Sequence, residues 1–328
     1  MGCRSAGPVR PVRFSRPSIP TSLVERGTVR TAPARRVPAL VAAAALVALA
    51  LTGCTSASSS SSCVQPGDAS SQVKASGGIG TPKASFPKPL QSSTLQKSVL
   101  HDGRGKTIAD GSLVAVAVST SDGTDGSVLA QESGGIAAGG TSARPGLQKA
   151  LTCTTVGSRI AITGTAAEIY GADLPTGLSP TSPLVLVADV ASASLARADG
   201  APRPAQPGMP TVVLAPNGQP GIKIPSHGAP TKLASTVLKQ GSGATVTVKG
   251  HYVVNYTAVA WSDPTTVSSS SWTDGSPVVW PDTTGQSYSP PASVLKELVG
   301  KQVCSQIIVV TPGSSATAFV IDILGIWK

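Results

Sequence analysis

The feature that most constrains this chain is internal: its second half repeats its first. At an offset of 138 residues, Val99-Leu100, Gly103, Gly105 and Ile108 recur as Val237-Leu238, Gly241, Gly243 and Val246. Upstream, Pro82 and Pro87 recur as Pro220 and Pro225; downstream, the alternating Val114, Val116, Val118 recurs as Tyr252, Val254, Tyr256. The offset then grows to 147, matching Leu147, Leu151, Val156-Gly157-Ser158 and Ile160 to Val294, Leu298, Val303-Cys304-Ser305 and Ile307. It shrinks to 133 where Leu186-Val187 and Asp189-Val190 match Phe319-Val320 and Asp322-Ile323. A fixed order of elements, met twice with loops of different length, implies two homologous units. We expect domains over 77–195 and 212–328, joined by a Pro/Gly-rich linker over 196–211.

Within each unit, period-two alternation predicts strands buried on one face. One short helix is expected per unit. Pro290-Pro291 opens the second, with apolar Val294, Leu295, Leu298 and Val299 on one face; Pro145-Gly146-Leu147 through Leu151 is its counterpart. The fold class is α+β: a twisted antiparallel sheet wrapped on one short helix, twice. Only eleven residues are aromatic, so the cores must be built from Val, Ile, Leu and Ala. Eight of those eleven lie after residue 250, which points to the second unit for an apolar binding site.

The chain's formal charge is +10, but residues 1–53 hold eight Arg against Glu25 and contribute +7 of it. The remainder is nearly balanced, with no basic stripe interleaved with aromatics, which argues against a nucleic-acid partner. That basic segment reads as an address. Residues 39–50 are uninterrupted apolar, too short to span a bilayer of about 30 Å, and they follow Arg35-Arg36. This is a secretory signal over 1–53. Leu51-Thr52-Gly53-Cys54 resembles the bacterial lipobox, which implies diacylglycerol on Cys54 and a lipid anchor on the extracytoplasmic side of a bacterial membrane. Residues 54–76 are Ser-rich and read as a flexible tether. The translation start and the choice between general and twin-arginine export stay open.

Three further thiols, Cys63, Cys153 and Cys304, are disulfide candidates in an oxidising compartment; an odd number leaves one over. Cys153 and Cys304 fall near equivalent points after each helix, and any bridge is expected to include Cys153. His101, His227 and His251 are not spaced as metal ligands, and neither a metal nor another cofactor is indicated. No nucleophile-elbow, zinc-protease or phosphate-loop motif is present.

In order, Val254-Asn255-Tyr256-Thr257, Ser270-Ser271-Trp272 with Gly275 and Pro277, Leu298-Val299-Gly300 and Phe319-Val320-Ile321-Asp322 resemble the FKBP-type peptidyl-prolyl isomerases; the first unit resembles them more loosely. The resemblance implies two tandem FKBP-like domains acting on proline-containing or exported unfolded polypeptides. It places Tyr256 on the pocket wall as a hydroxyl donor, Val278 or Trp280 opposite, Val294 on the floor and Ile321 on the back strand. Trp272, and Tyr170 on a loop of the first unit, are further substrate-binding candidates. For Tyr256 and Trp272, pocket and core readings stand equally; Phe319 and Trp327 are expected in the core. The X–Pro barrier of about 18–20 kcal/mol can be lowered by desolvating the imide and bonding its twisted state, without nucleophile or base. Against this, the sequence has Ser268-Ser269 where the family carries Phe-Asp, Val294 where it carries Trp, and no long loop after Pro312. Two functions are therefore carried forward, a lipid-anchored prolyl isomerase and a catalytically weak or inactive peptide-binding or chaperone lipoprotein. The oligomeric state stays open.

Overall fold

The computed structural model describes residues 63–140, 144–273, 275–281 and 288–327. The signal segment and the lipidation candidate Cys54 lie outside them. These described residues fall within one compact unit. In chain order its elements begin with α1 (Asp68–Ser71), β1 (Lys74–Ser76), β2 (Lys83–Ser85), β3 (Gln96–His101), β4 (Leu113–Asp122) and β5 (Val128–Ala137). They continue with α2 (Pro145–Leu151), β6 (Arg159–Thr165), α3 (Ala166–Tyr170), β7 (Pro183–Ala193), β8 (Ala201–Pro202), β9 (Thr211–Leu214) and β10 (Pro220–Lys223). The last are β11 (Ala234–Gln240), β12 (His251–Ala260), β13 (Val267–Ser270), β14 (Val278–Trp280), α4 (Ala292–Leu298), β15 (Gln306–Val310) and β16 (Thr317–Trp327). The chain is thus mostly β-sheet with a few short helices among the described residues.

Two antiparallel sheets share one strand order. The first runs β3-β6-β7-β4-β5; the second runs β11-β15-β16-β12, with β13 and β14 both beside β12 and β8 outside β11. The three sequence offsets meet in a single row of each sheet. Arg159 and Ala117 flank Asp189 in the first; Gln306 and Asn255 flank Asp322 in the second. The repeated glycines mark a tight crossing. A Cβ on Gly103 or Gly241 would stand 2.3 or 2.2 Å from the carbonyl oxygen of Val156 or Val303, so only glycine fits.

Strands expected to be half-buried are buried on both faces. β4 and β12 are covered along nearly their whole length. On one face α2 and α3 pack over Ile160, Ile162, Leu186 and Ala188, and α4 over Ile307, Val309, Phe319 and Ile321. The alternate residues Ala161, Val185 and Val187 face the β1-β2 hairpin, and Ile308, Val310, Ala318 and Val320 face the equivalent β9-β10 hairpin. Each fully buried Val, Leu or Ile contributes about 1.5–3 kcal/mol, which makes these hairpins part of the fold. Two expectations change accordingly. The stretch read as tether is structured from Cys63 onward, carrying α1 and β1 with Ala69 and Val73 buried. The stretch read as linker carries β8, which pairs with β11, and buried Ala198. Helices α1 and α3 are also additional to the one expected per unit.

Cys63 and Cys153 form a disulfide with S–S 2.01 Å. Cys304 is disulfide-bonded as well, and not to Cys153, so the expectation that any bridge includes Cys153 holds for one bridge and fails for the other, and none of the three candidate thiols is left over. Cys153 and Cys304 are not at equivalent positions. Cys153 N–H donates to Ile108 O as Gly300 N–H donates to Val246 O; Gly157 donates to Val190 O as Cys304 donates to Ile323 O. All four residues have positive φ, between 63° and 91°, a conformation glycine adopts at no steric cost. Each cysteine therefore stands where the other copy has glycine.

The end of α2 is closed by a buried lysine. Lys97, on β3, donates to the carbonyls of Ala150 and Thr152 at 3.0 Å and to Thr154 Oγ1 at 3.2 Å. Burial lowers the pKa of its amine below the usual value, while those acceptors satisfy its donors and the last carbonyls of the helix. Lys97→Met keeps the stem and leaves the acceptors unpaired. A loss of about 2 kcal/mol is expected in urea denaturation; an unchanged midpoint would show that other groups satisfy the helix end. Among the described residues no helix is long and apolar enough to cross a membrane.

Candidate functional site

Alternation along β12 and β16 puts Tyr256 and Ile321 on the face of the second sheet that α4 covers. β14 brings Trp280 to the same cluster, α4 brings Val294, and Val278 packs at its margin. Five of the residues singled out from sequence thus converge. All but Val278 are buried. Trp280, Val294 and Ile321 are 0% exposed and Tyr256 is 3% exposed.

The polar ends of the cluster are already engaged. Tyr256 Oη shares a 2.7 Å hydrogen bond with Ser269 Oγ, and the Trp280 indole donates to the Tyr288 carbonyl at 2.8 Å. The Tyr256 ring lies 4.9 Å from that of Trp280 and 5.3 Å from that of Tyr288, stacked on the latter. Burial, then the neighbouring Tyr256, raises the Tyr288 phenol pKa; burial alone raises that of Tyr252. As a prolyl site, Tyr256 would have to release Ser269 before its hydroxyl could reach a twisted imide. Cavities of about 300 to 560 Å³ lie elsewhere among the described residues, away from Tyr256, Trp280, Val294 and Ile321.

The other two substrate-binding candidates lie elsewhere. Trp272 is partly buried near Gly218, where an added Cβ would stand 3.3 Å from the indole Cη2; among the described residues its buried Nε1 has no hydrogen-bond partner. Tyr170 ends α3 and packs on the core of the first sheet. Phe319 is in the second core, and Trp327 packs with Leu113, Val253 and Leu324. Tyr288 was missed from sequence. Its position just before Pro290-Pro291, the predicted helix start, was the signal available, since that turn returns the chain to the helix face.

Across the sheet from the cluster, the row at Asp322 is polar. Its carboxylate accepts from Gln306 Nε2 at 2.7 Å and from Ala198 N–H at 2.8 Å. Asn255 accepts from Ser271 Oγ at 2.8 Å, and Ser271 Oγ accepts the Tyr256 N–H at 3.0 Å. Burial raises the Asp322 pKa, outweighing the hydrogen bonds from Ala198 and Gln306 and the charges of Lys239 and Arg197, all of which lower it. A raised folded-state pKa adds stability in full below the unfolded value near 3.8, and that stability is lost as pH rises through the folded pKa. The stability of the parent relative to Asp322→Asn should therefore fall between pH 4 and 7 in paired urea titrations. A difference constant over that range contradicts the assignment. Among the described residues no group of three His, Cys, Asp or Glu could hold a metal ion.

No protein-family model and no curated protein matches this chain. Among solved structures, the three FKBP domains of wheat FKBP73 are similar at 15% identity and a TM-score of 0.31, covering 71% of this chain and 95% of that one. FkpA from Escherichia coli is similar at 22% identity and a TM-score of 0.28, covering 31% of this chain and 49% of that one, so the match spans about half of FkpA. Both scores fall below the level at which a shared fold follows.

Proposed function

We propose that this chain is a lipid-anchored extracytoplasmic protein with two tandem FKBP-like domains, which binds exported or unfolded polypeptide without accelerating prolyl isomerisation. One observation carries the reading: the residues a prolyl site would use are packed against one another, with the Tyr256 hydroxyl engaged by Ser269. A ring of proline has no room among side chains at 0–3% exposure. The Cys63–Cys153 disulfide supports an oxidising compartment, and the lipobox-like tetrapeptide supports the anchor. Incorporation of labelled fatty acid that is lost in Cys54→Ser tests the anchor; because Cys304 is disulfide-bonded and only Cys3 and Cys54 remain in the sequence to pair with it, a Cys54–Cys304 bridge found by non-reducing peptide mapping overturns it.

The isomerase reading is favoured by the convergence of Tyr256, Trp280, Val294 and Ile321. Two assays on the mature chain separate the readings. Light scattering of a reduced, unfolded client should fall in the presence of the protein. A protease-coupled assay on a proline-containing peptide should stay at the spontaneous rate. Acceleration lost in Tyr256→Phe establishes the isomerase; neither effect removes both readings.

A further inference from the structure

A cavity of about 300 Å³ lies where the two copies of the repeat meet. Equivalent residues of both copies line it: Lys106 and its counterpart Ala244, Val156 and Val303, and Ala193 at the end of β7 with Ile326 near the end of β16. Beside it the Leu195 N–H donates to Leu324 O at 3.0 Å and joins the copies.

Backbone fixes the walls. Gly105 N–H donates to Val156 O at 2.9 Å, and Gly243 N–H to Val303 O at 3.1 Å. A Cβ on Gly105 would stand 2.7 Å from the Val156 Cβ, and one on Gly243 2.8 Å from the Val303 Cβ. Only glycine allows chain crossings this close, and each crossing holds its valine at the cavity wall. The space is therefore built into the fold, as ligand sites usually are.

The lining is apolar with one charge. Val156, Leu195, Val303 and Ile326 are only partly buried, so each has apolar surface left to cover. The Ser194 hydroxyl is used within the chain: it accepts from Leu113 N–H at 3.0 Å and donates to Leu195 O at 2.8 Å. Lys106 is the charged residue of the lining. It is exposed, and among the described residues its side chain has no ion pair or hydrogen bond. Its counterpart is Ala244, so the cation comes from one copy alone. An apolar cavity of about 150 Å³ is enough to hold benzene. Twice that space beside one available ammonium suits an apolar tail that ends in a single anion.

We propose that this cavity binds an apolar monocarboxylate of the fatty-acid class, with its tail among Val156, Leu195, Val303, Leu324 and Ile326 and its carboxylate on the Lys106 ammonium. None of these residues belongs to the Tyr256 cluster, so the site stands or fails independently of the function proposed above.

The probe is sodium decanoate, kept below its micelle concentration and titrated calorimetrically into the full mature chain. One saturable site is expected. Lys106→Met keeps the stem and should weaken decanoate on the order of tenfold, while 1-decanol should bind the parent and Lys106→Met alike. Ala196→Phe puts a ring into the cavity and should abolish binding of both compounds, with the circular dichroism melt confirming that the variant is folded; Ala244→Phe, at an exposed position of the same wall, should weaken both as well. No saturable binding of decanoate, equal affinity for the parent and Lys106→Met, or unchanged binding in both phenylalanine variants overturns the proposal. Decanol that binds as tightly as decanoate overturns the role of Lys106. Decanoate that binds Cys54→Ser but not the lipidated chain places the anchor's own acyl chain in the cavity and overturns the free-acid assignment.

Discussion

Asp189→Ala should destabilise the protein by about 3–5 kcal/mol, the usual consequence of removing one partner of a buried ion pair. Asp189 is 2% exposed and Arg159 is 8% exposed. The guanidinium meets the carboxylate twice, Nε to Oδ1 at 2.5 Å and Nη2 to Oδ2 at 2.8 Å. Asp189 Oδ2 also accepts the Gly80 N–H at 2.8 Å, and Arg159 donates to the carbonyls of Ser76, Gly77 and Gly78. The pair thus ties the turn of the β1-β2 hairpin to the sheet, and the Asp189 bond raises the Arg159 pKa above its usual value. Alanine would strand a buried cation and free that hairpin at once. The second sheet supplies an internal control. Asp322 occupies the same row but is bonded to neutral Gln306, with Lys239 and Arg197 acting on it only through their charge, so Asp322→Ala breaks no direct ion pair and should cost at least about 1–2 kcal/mol less. Urea midpoints of the two variants decide the matter; equal losses would show that the ion pair is no more than a hydrogen-bonded contact.

Trp280→Ala should cost about 3–5 kcal/mol, the range for deleting a large aromatic from a packed core. Its indole is wholly buried, lies 4.9 Å from the Tyr256 ring and donates to Tyr288 O. Removal would leave a void bounded by Tyr256 and Tyr288 and an unpaired carbonyl. A pocket wall behaves differently: trimming it costs little stability, because one side was already without partners. A loss under about 1 kcal/mol in chemical denaturation would therefore restore the open-site reading of this cluster.

The repeat was legible because its apolar and glycine positions have fixed spacing. The order of strands in the sheets was not legible; the structure shows it, and the three offsets meet at Asp189 and Asp322. The helices α2 and α4 were legible from their prolines and apolar face. The hairpins on the outer faces were not. β1, β2, β9 and β10 have three or four residues each, too few to show periodicity among Gly and Pro, although the Pro82/Pro220 and Pro87/Pro225 matches marked them. The same hairpins turned half-buried strands into fully buried ones, since a cover on the second face leaves no trace in the strand's own alternation. Cys153 and Cys304 looked equivalent by distance from each helix, whereas backbone conformation pairs them with Gly300 and Gly157. Reading the Val-Gly and Val-Cys steps as left-handed turns would have shown it. At the site, residue identity located the Tyr256 cluster. Its closure depends on Ser269 and Tyr288, which no motif connects to Tyr256.

The central claim is that this cluster is closed to proline, and the Trp280 indole N–H reports on it directly. In a ¹H–¹⁵N spectrum of the mature chain, assigned by its loss in Trp280→Phe, that signal should hold its position as a proline-containing tetrapeptide is added in large excess. A saturable shift of the Trp280 signal, absent in Tyr256→Phe, would contradict the account and make the cluster a prolyl-binding site.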